Sequence, residues 1–152
     1  MAVVQRDHVL RSVELGIAQA NHGERAPLAA MCESDGLVYY SPRESLGGRP
    51  LKEFTAIGRI ADDALFQVAG TEEGAPRSSG RDGDFRPWRR RVDYQGDAEP
   101  TSIRPLLGAL DFSRGTPNWG YQLRRGVIEL TKHDFELIRA QMRPSDPAAR
   151  IR

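Results

Sequence analysis

The chain has one cysteine, Cys32, in 152 residues. A single thiol cannot close an internal disulfide, and it excludes a zinc site built on cysteine pairs. Lysine is nearly as scarce. Lys52 and Lys132 are the only two among 22 basic residues, and arginine supplies the rest. No apolar run approaches the roughly 18 residues that a membrane span needs, so no membrane partner is expected. No charged segment followed by an apolar stretch opens the chain, so no export signal is read and the cytoplasm is the expected location. A formal net charge of +1 excludes a strongly basic coat for nucleic acid. A phosphate loop, a dinucleotide fingerprint and a nucleophile elbow are all missing. His8, His22 and His133 lack metal-ligand spacing, so neither a metal nor a cofactor is expected, and His133 reads as a surface residue.

The length fits one domain, able to build a core without staples. The arginine excess alone is what a GC-rich genome would give, so position is more informative than number. Arg86, Arg89, Arg90 and Arg91 crowd around Trp88, and Arg124 and Arg125 follow Tyr121. Arginine beside aromatic rings suits a surface that meets phosphates and bases. A strand with a solvated basic face accounts for the same pattern.

Periodicity gives a coarse fold. Ala2 to Val4 reads as a short strand. A helix from Arg6 carries Leu10, Val13 and Ile17 on one stripe with Val9 beside them, and Asn21-His22-Gly23 stops it. Pro27 to Met31 reads as a helical turn. Leu37 to Tyr40 reads as a strand ended by Ser41-Pro42. Phe54 to Ile60 and Ala64 to Ala69 read as a hairpin turned by Asp62-Asp63. Thr71 to Asp84, almost without apolar residues, reads as a mobile loop within the domain. Phe85 to Tyr94 reads as a further strand, Ser102 to Leu110 as a helix with Ile103, Leu106, Leu107 and Leu110 inward, and Val127 to Leu130 as a short strand. Thr131 caps a last helix with Asp134 at the box position, and Phe135, Ile138 and Met142 on its inner face. The expected domain spans residues 1–142 with the loop at 71–84, and 143–152 form a C-terminal tail. The class is α+β, with about five or six short strands curving into a small barrel.

Six stretches then stand in a telling order: Arg6-Asp-His-Val-Leu-Arg11, Ala20-Asn-His-Gly23 with Ala26-Pro-Leu28, Val38-Tyr-Tyr-Ser-Pro42, Phe54-Thr-Ala-Ile-Gly58, Phe85-Arg-Pro-Trp-Arg-Arg90, and Asn118-Trp-Gly-Tyr-Gln-Leu-Arg-Arg-Gly126. Their order and spacing resemble the EVE domain family, in its bacterial branch, from about Val3 to Met142. The resemblance implies a PUA-like fold, a small mixed β-barrel flanked by helices. It also implies binding of a modified base in DNA or RNA through a pocket on the barrel. Family members usually begin with a few more residues, including an aromatic in the first strand. Met1-Ala-Val-Val lacks it, which removes one wall of the implied cage.

The candidate pocket residues carried over are Gln5, His22, Gly23, Tyr40, Ser41, Asn118 and Trp119, with Arg89 and Arg90 reaching phosphate or a base edge. Each has a plainer alternative. Trp119 reads equally as a core aromatic, His22 as a helix cap and Ser41 as a strand terminus. Tyr39 and Tyr40 alternate, so one should face inward, with Tyr40 toward the pocket, while Trp88 packs on the barrel. The whole reading leans on a cavity floored by the Trp119 indole. One alternative is a hydrolase of modified nucleosides resembling ASCH domains, which use lysine, threonine and glutamate. Lys52, Glu53 and Thr55 are those residue types here, but neighbours on a strand point to opposite faces. The other is an adaptor for small molecules or proteins using the same pocket.

Overall fold

The computed structural model describes residues 1–68 and 86–144. The loop expected at 71–84, Phe85 and the tail from 145 onward lie outside the described residues. The architecture is α+β. Its strands are β1 (Ala2–Val3), β2 (Ile17–Ala18), β3 (Gly36–Arg43), β4 (Pro50–Ile60), β5 (Phe66–Gln67), β6 (Trp88–Tyr94) and β7 (Thr101–Ser102). The helices are α1 (Arg6–Leu15), α2 (Ala26–Ala29) and α3 (Lys132–Gln141), joined by three 3-10 segments at Asn21–Gly23, Arg104–Leu106 and Trp119–Arg125.

The strands form one mixed sheet in the order β1-β3-β4-β6-β2, with β5 on β6 and β7 on β4. β1 runs parallel to β3, and the other pairings are antiparallel. Among the described residues the sheet does not close, because no ladder joins β1 to β2. The long strand β4 organises it. One edge of β4 pairs with β3, while the other takes β7 at Glu53–Phe54 and β6 at Gly58–Ile60. Where β4 crosses β6 the backbones nearly touch. A Cβ on Gly58 would lie 2.4 Å from the Asp93 carbonyl oxygen, so only glycine fits there.

Both faces of the sheet are covered. Val38, Tyr40, Phe54 and Ile57 face one core with Leu110, Ile138 and Met142. Leu37, Tyr39, Ala56 and Ile60 face the other with Val9, Leu28 and Val92. Tyr39 and Tyr40 are therefore both buried, which corrects the expectation that one faces out. A strand buried on both faces has no polar alternation to show.

Other expectations also shift. Gly16, with φ 66, ends α1 in the left-handed conformation, five residues earlier than read. The buried face of α1 carries Val9 and Ser12, while Leu10 is 56% exposed. β5 does not turn back on β4. The chain bulges at Asp62-Asp63 and continues in the same direction along β6, pairing Phe66 with Arg89. Asp62 there accepts from the Ala64 N–H and Asp63 from the Glu33 N–H, so the pair shapes a bulge and not a reversal. The segment read as a helix over 102–110 is the strand end Ser102, a 3-10 turn and further turns. Ile103, Leu106 and Leu110 still point inward. Val127 makes an isolated bridge to Ala2 in place of a strand. The α3 cap is as expected, with Thr131 Oγ1 accepting from the Asp134 N–H at 3.2 Å.

Candidate functional site

The ladder between β2 and β6 pairs Ala18 with Arg90, which carries Gln19 to the level of Arg89. The Arg89 Nε donates to Gln19 Oε1 at 3.1 Å, with Arg89 only 4% exposed. From the sheet beneath, the Tyr39 hydroxyl takes the Gln19 N–H at 3.3 Å and donates to its carbonyl at 3.4 Å. Burial pushes the Tyr39 phenol up, against the lowering pull of that backbone contact. Tyr94 donates to the Ile17 carbonyl at 2.6 Å, and its phenol is also raised, by burial first and by Tyr39 second. The end of β2 is thus latched from two sides.

The chain then makes the turn Asn21–Gly23. His22 has φ 58 and ψ 32, Gly23 has φ 85, and the Gly23 N–H donates to the Ala20 carbonyl at 2.9 Å. A left-handed conformation costs a residue with a Cβ about 1–2 kcal/mol. His22 is held there with its side chain exposed, over a buried Gly23. Three residues on, the Arg25 guanidinium stacks 5.4 Å from the Trp88 ring centroid. Trp88 is half-buried and packs on the core of Val9, Tyr39 and Val92, as expected, with Arg25 over its ring.

Arg90 does not reach a surface. It is 3% exposed and donates to the carbonyls of Leu28 and Met31, around the end of α2, and to that of Asp62 at 2.6 Å. Its Nε is without a partner among the described residues. This guanidinium satisfies orphan carbonyls and ties α2 to the bulge after β4, which corrects its expected role at phosphate.

Gln5, Tyr40 and Ser41 meet at another place. Gln5 precedes α1 without capping it, and the Val4 N–H beside it donates to the Tyr40 carbonyl at 3.0 Å. Tyr40 lies edge-on to Phe54, 5.8 Å between centroids, and burial pushes its phenol up to about 12. It faces the core and not an open pocket. Tyr39 pairs with Ala56 and Tyr40 with Phe54, so Thr55 is the extra residue of a β-bulge. That bulge brings its hydroxyl 2.7 Å from the Ser41 hydroxyl, and Glu53 lies directly across from Ser41. Lys52 has φ 55, so the simple alternation assumed for Lys52, Glu53 and Thr55 does not hold along β4.

Trp119 is half-buried against the core that contains Tyr40, and Asn118 is exposed. Gln19, held by Arg89, leads into the turn of His22 and Gly23, while Tyr40 and Trp119 pack on one core. A groove of about 470 Å³ lies elsewhere, between the end of α2 and the start of α3, lined by Met31, Asp35, Arg59, Glu129, Lys132 and Phe135 among others. It contains no nominated residue. Its walls come from distant parts of the chain, so no local pattern announces it.

Asp111, His133 and Asp134 bring their ligand atoms within 4.8 Å of one another. These carboxylates are already engaged. Asp134 accepts from the N–H groups of Asp111 and Phe112, and Asp111 from the Thr131 hydroxyl at 2.7 Å. That hydroxyl, with His133 and Arg114 behind it, holds the Asp111 carboxyl below its ordinary range. The cluster fastens the start of α3 to the preceding turn.

A family model described as "EVE domain" matches residues 1–141. A UPF0310 protein of Mycolicibacterium gilvum is 45% identical over 140 residues, covering 91% of each chain. One from Renibacterium salmoninarum is 47% identical over the same length and coverage. The UPF0310 protein YdcG of Bacillus subtilis is 35% identical over 143 residues, covering 93% of this chain and 90% of its own.

Proposed function

This chain belongs to the EVE domain family, and we propose that it is a nucleic-acid-binding module that recognises a modified base in DNA or RNA. The observation that carries the reading is the latched turn after β2. Gln19 is held by Arg89 and Tyr39, and the next turn keeps an exposed imidazole on a strained backbone. Strain of that kind persists where the surroundings enforce it and is concentrated at binding sites. A modified base is a flat polar ring carrying an added group. Its recognition needs fixed donors and acceptors at the ring edge and an aromatic or apolar wall at its face. His22 supplies the edge contact, and Arg89 acts through Gln19 to hold the turn that presents it.

Fluorescence anisotropy with methylated, hydroxymethylated and plain oligonucleotides of both sugar types tests this reading. Tighter binding of one modified strand, abolished in His22→Ala, is the expected result. Equal affinity for modified and plain strands of every type removes it.

A further inference from the structure

We propose that the 3-10 helix Trp119–Arg125 carries the strand that flanks the recognised base, with Tyr121 stacking on a neighbouring base and Arg124 and Arg125 on phosphates. The proposal rests on the reading above for the identity of the partner and adds the surface that holds it. Trp119 and Gln122 face inward. Trp119 leans on the core, and Gln122 Nε2 donates to the Phe112 carbonyl at 2.9 Å. Leu123 packs on the same core. Tyr121, Arg124 and Arg125 are exposed, with the Arg124 guanidinium 4.9 Å from the Tyr121 ring centroid.

Two features mark this exposed group as a binding surface. Tyr121 is 69% exposed, with the Arg124 guanidinium over its ring. Arg124 and Arg125 form no ion pair among the described residues, which is equally true of Arg6, Arg25, Arg43, Arg104 and Arg143; what sets them apart is two adjacent guanidiniums beside an exposed ring. Two unneutralised guanidiniums beside an open ring fit a partner that offers anions and flat rings at regular spacing. A single strand of nucleic acid has that chemistry, and its sequence-tolerant binding uses phosphate contacts and base–aromatic stacking. Arg89 and Arg90, the arginines first nominated for phosphate, are buried.

The test is the salt dependence of binding to an unmodified single strand of about twelve nucleotides, a length within the usual site size of such modules. Removing one arginine from a phosphate should reduce the slope of log affinity against log salt by about 0.7. Arg124→Gln with Arg125→Gln should therefore flatten it by about 1.4. Arg11→Gln with Arg49→Gln removes the same net charge elsewhere and should leave it unchanged. Tyr121→Ala should weaken binding roughly 5-fold to 100-fold, with Tyr121→Phe restoring it. The proposal is overturned if the two double variants behave alike, if the unmodified strand does not bind at low salt, or if polyglutamate of matched charge competes on equal terms. Because the strand is unmodified, failure of base discrimination leaves this result readable.

Discussion

Arg89 Nε and Gln19 Oε1 meet at 3.1 Å and join β6 to the residue just past β2. Neighbouring Arg90 reaches in another direction, to carbonyls around α2. Two consecutive arginines thus fix the entry and the exit of the His22 turn.

Arg90→Met should cost about 2–6 kcal/mol, at about 1–3 kcal/mol for each buried carbonyl left without a donor. The carbonyls of Met31 and Asp62 would lose theirs, while that of Leu28 keeps the Met31 N–H. Chemical denaturation checks this. Arg124→Met, on an exposed residue, should stay within about 0.5 kcal/mol.

Gly58→Ala should destabilise by at least about 1–3 kcal/mol, the usual cost of overpacking. The new methyl would meet the backbone of Asp93 and Tyr94, which cannot swing aside as a side chain can. Gly96→Ala, where nothing lies within 4 Å of the added carbon, is the control for thermal melting.

His22→Gly should raise stability by about 1 kcal/mol, because glycine adopts the left-handed turn without strain. The same change should abolish discrimination of a modified strand. A rise in melting temperature with unchanged binding would mean that the imidazole contributes nothing to recognition.

Stability should fall in alkali between pH 10 and pH 12. An exposed tyrosine ionises near 10, whereas Tyr40 in the fold holds its proton to about 12. The Tyr40 contribution is therefore fully present below pH 10 and disappears as pH rises toward the folded value. The decrease is at most about 3 kcal/mol for two units. Tyr39 and Tyr94 are raised as well and act in the same sense. Tyr40→Phe should make the decline shallower in denaturation titrations across that range.

The sequence was readable where one element settles its own fate. The start of α1 at Arg6 and the Thr131 cap of α3 are local devices, and both stand as read. Pairing was harder. Asp62-Asp63 looks the same whether a chain reverses or bulges, and the choice was made by Ala61 and Phe66 pairing onward along β6. Strands of two residues, such as β2 and β7, are too short to show any period. At the site, the Asn-His-Gly triplet reads as the stop of α1, but α1 ends at Gly16 and the triplet makes a separate turn with His22 at positive φ. The burial of Arg89 and Arg90 was not legible, because a charged side chain among others gives no sign that carbonyls await it. Trp119 drew attention as the rarer residue, yet the exposed ring of its helix is Tyr121.

The turn bearing His22 hangs on a two-residue strand at the outer rim of the ladder order, and the partner of that strand, β6, lies far along the chain. Amide protons of Ile17 to Gly23 should consequently exchange with solvent sooner than those of β3 and β4, through brief detachment of this rim alone. A bound base would then act as a clasp, slowing exchange there while leaving the centre of the molecule untouched.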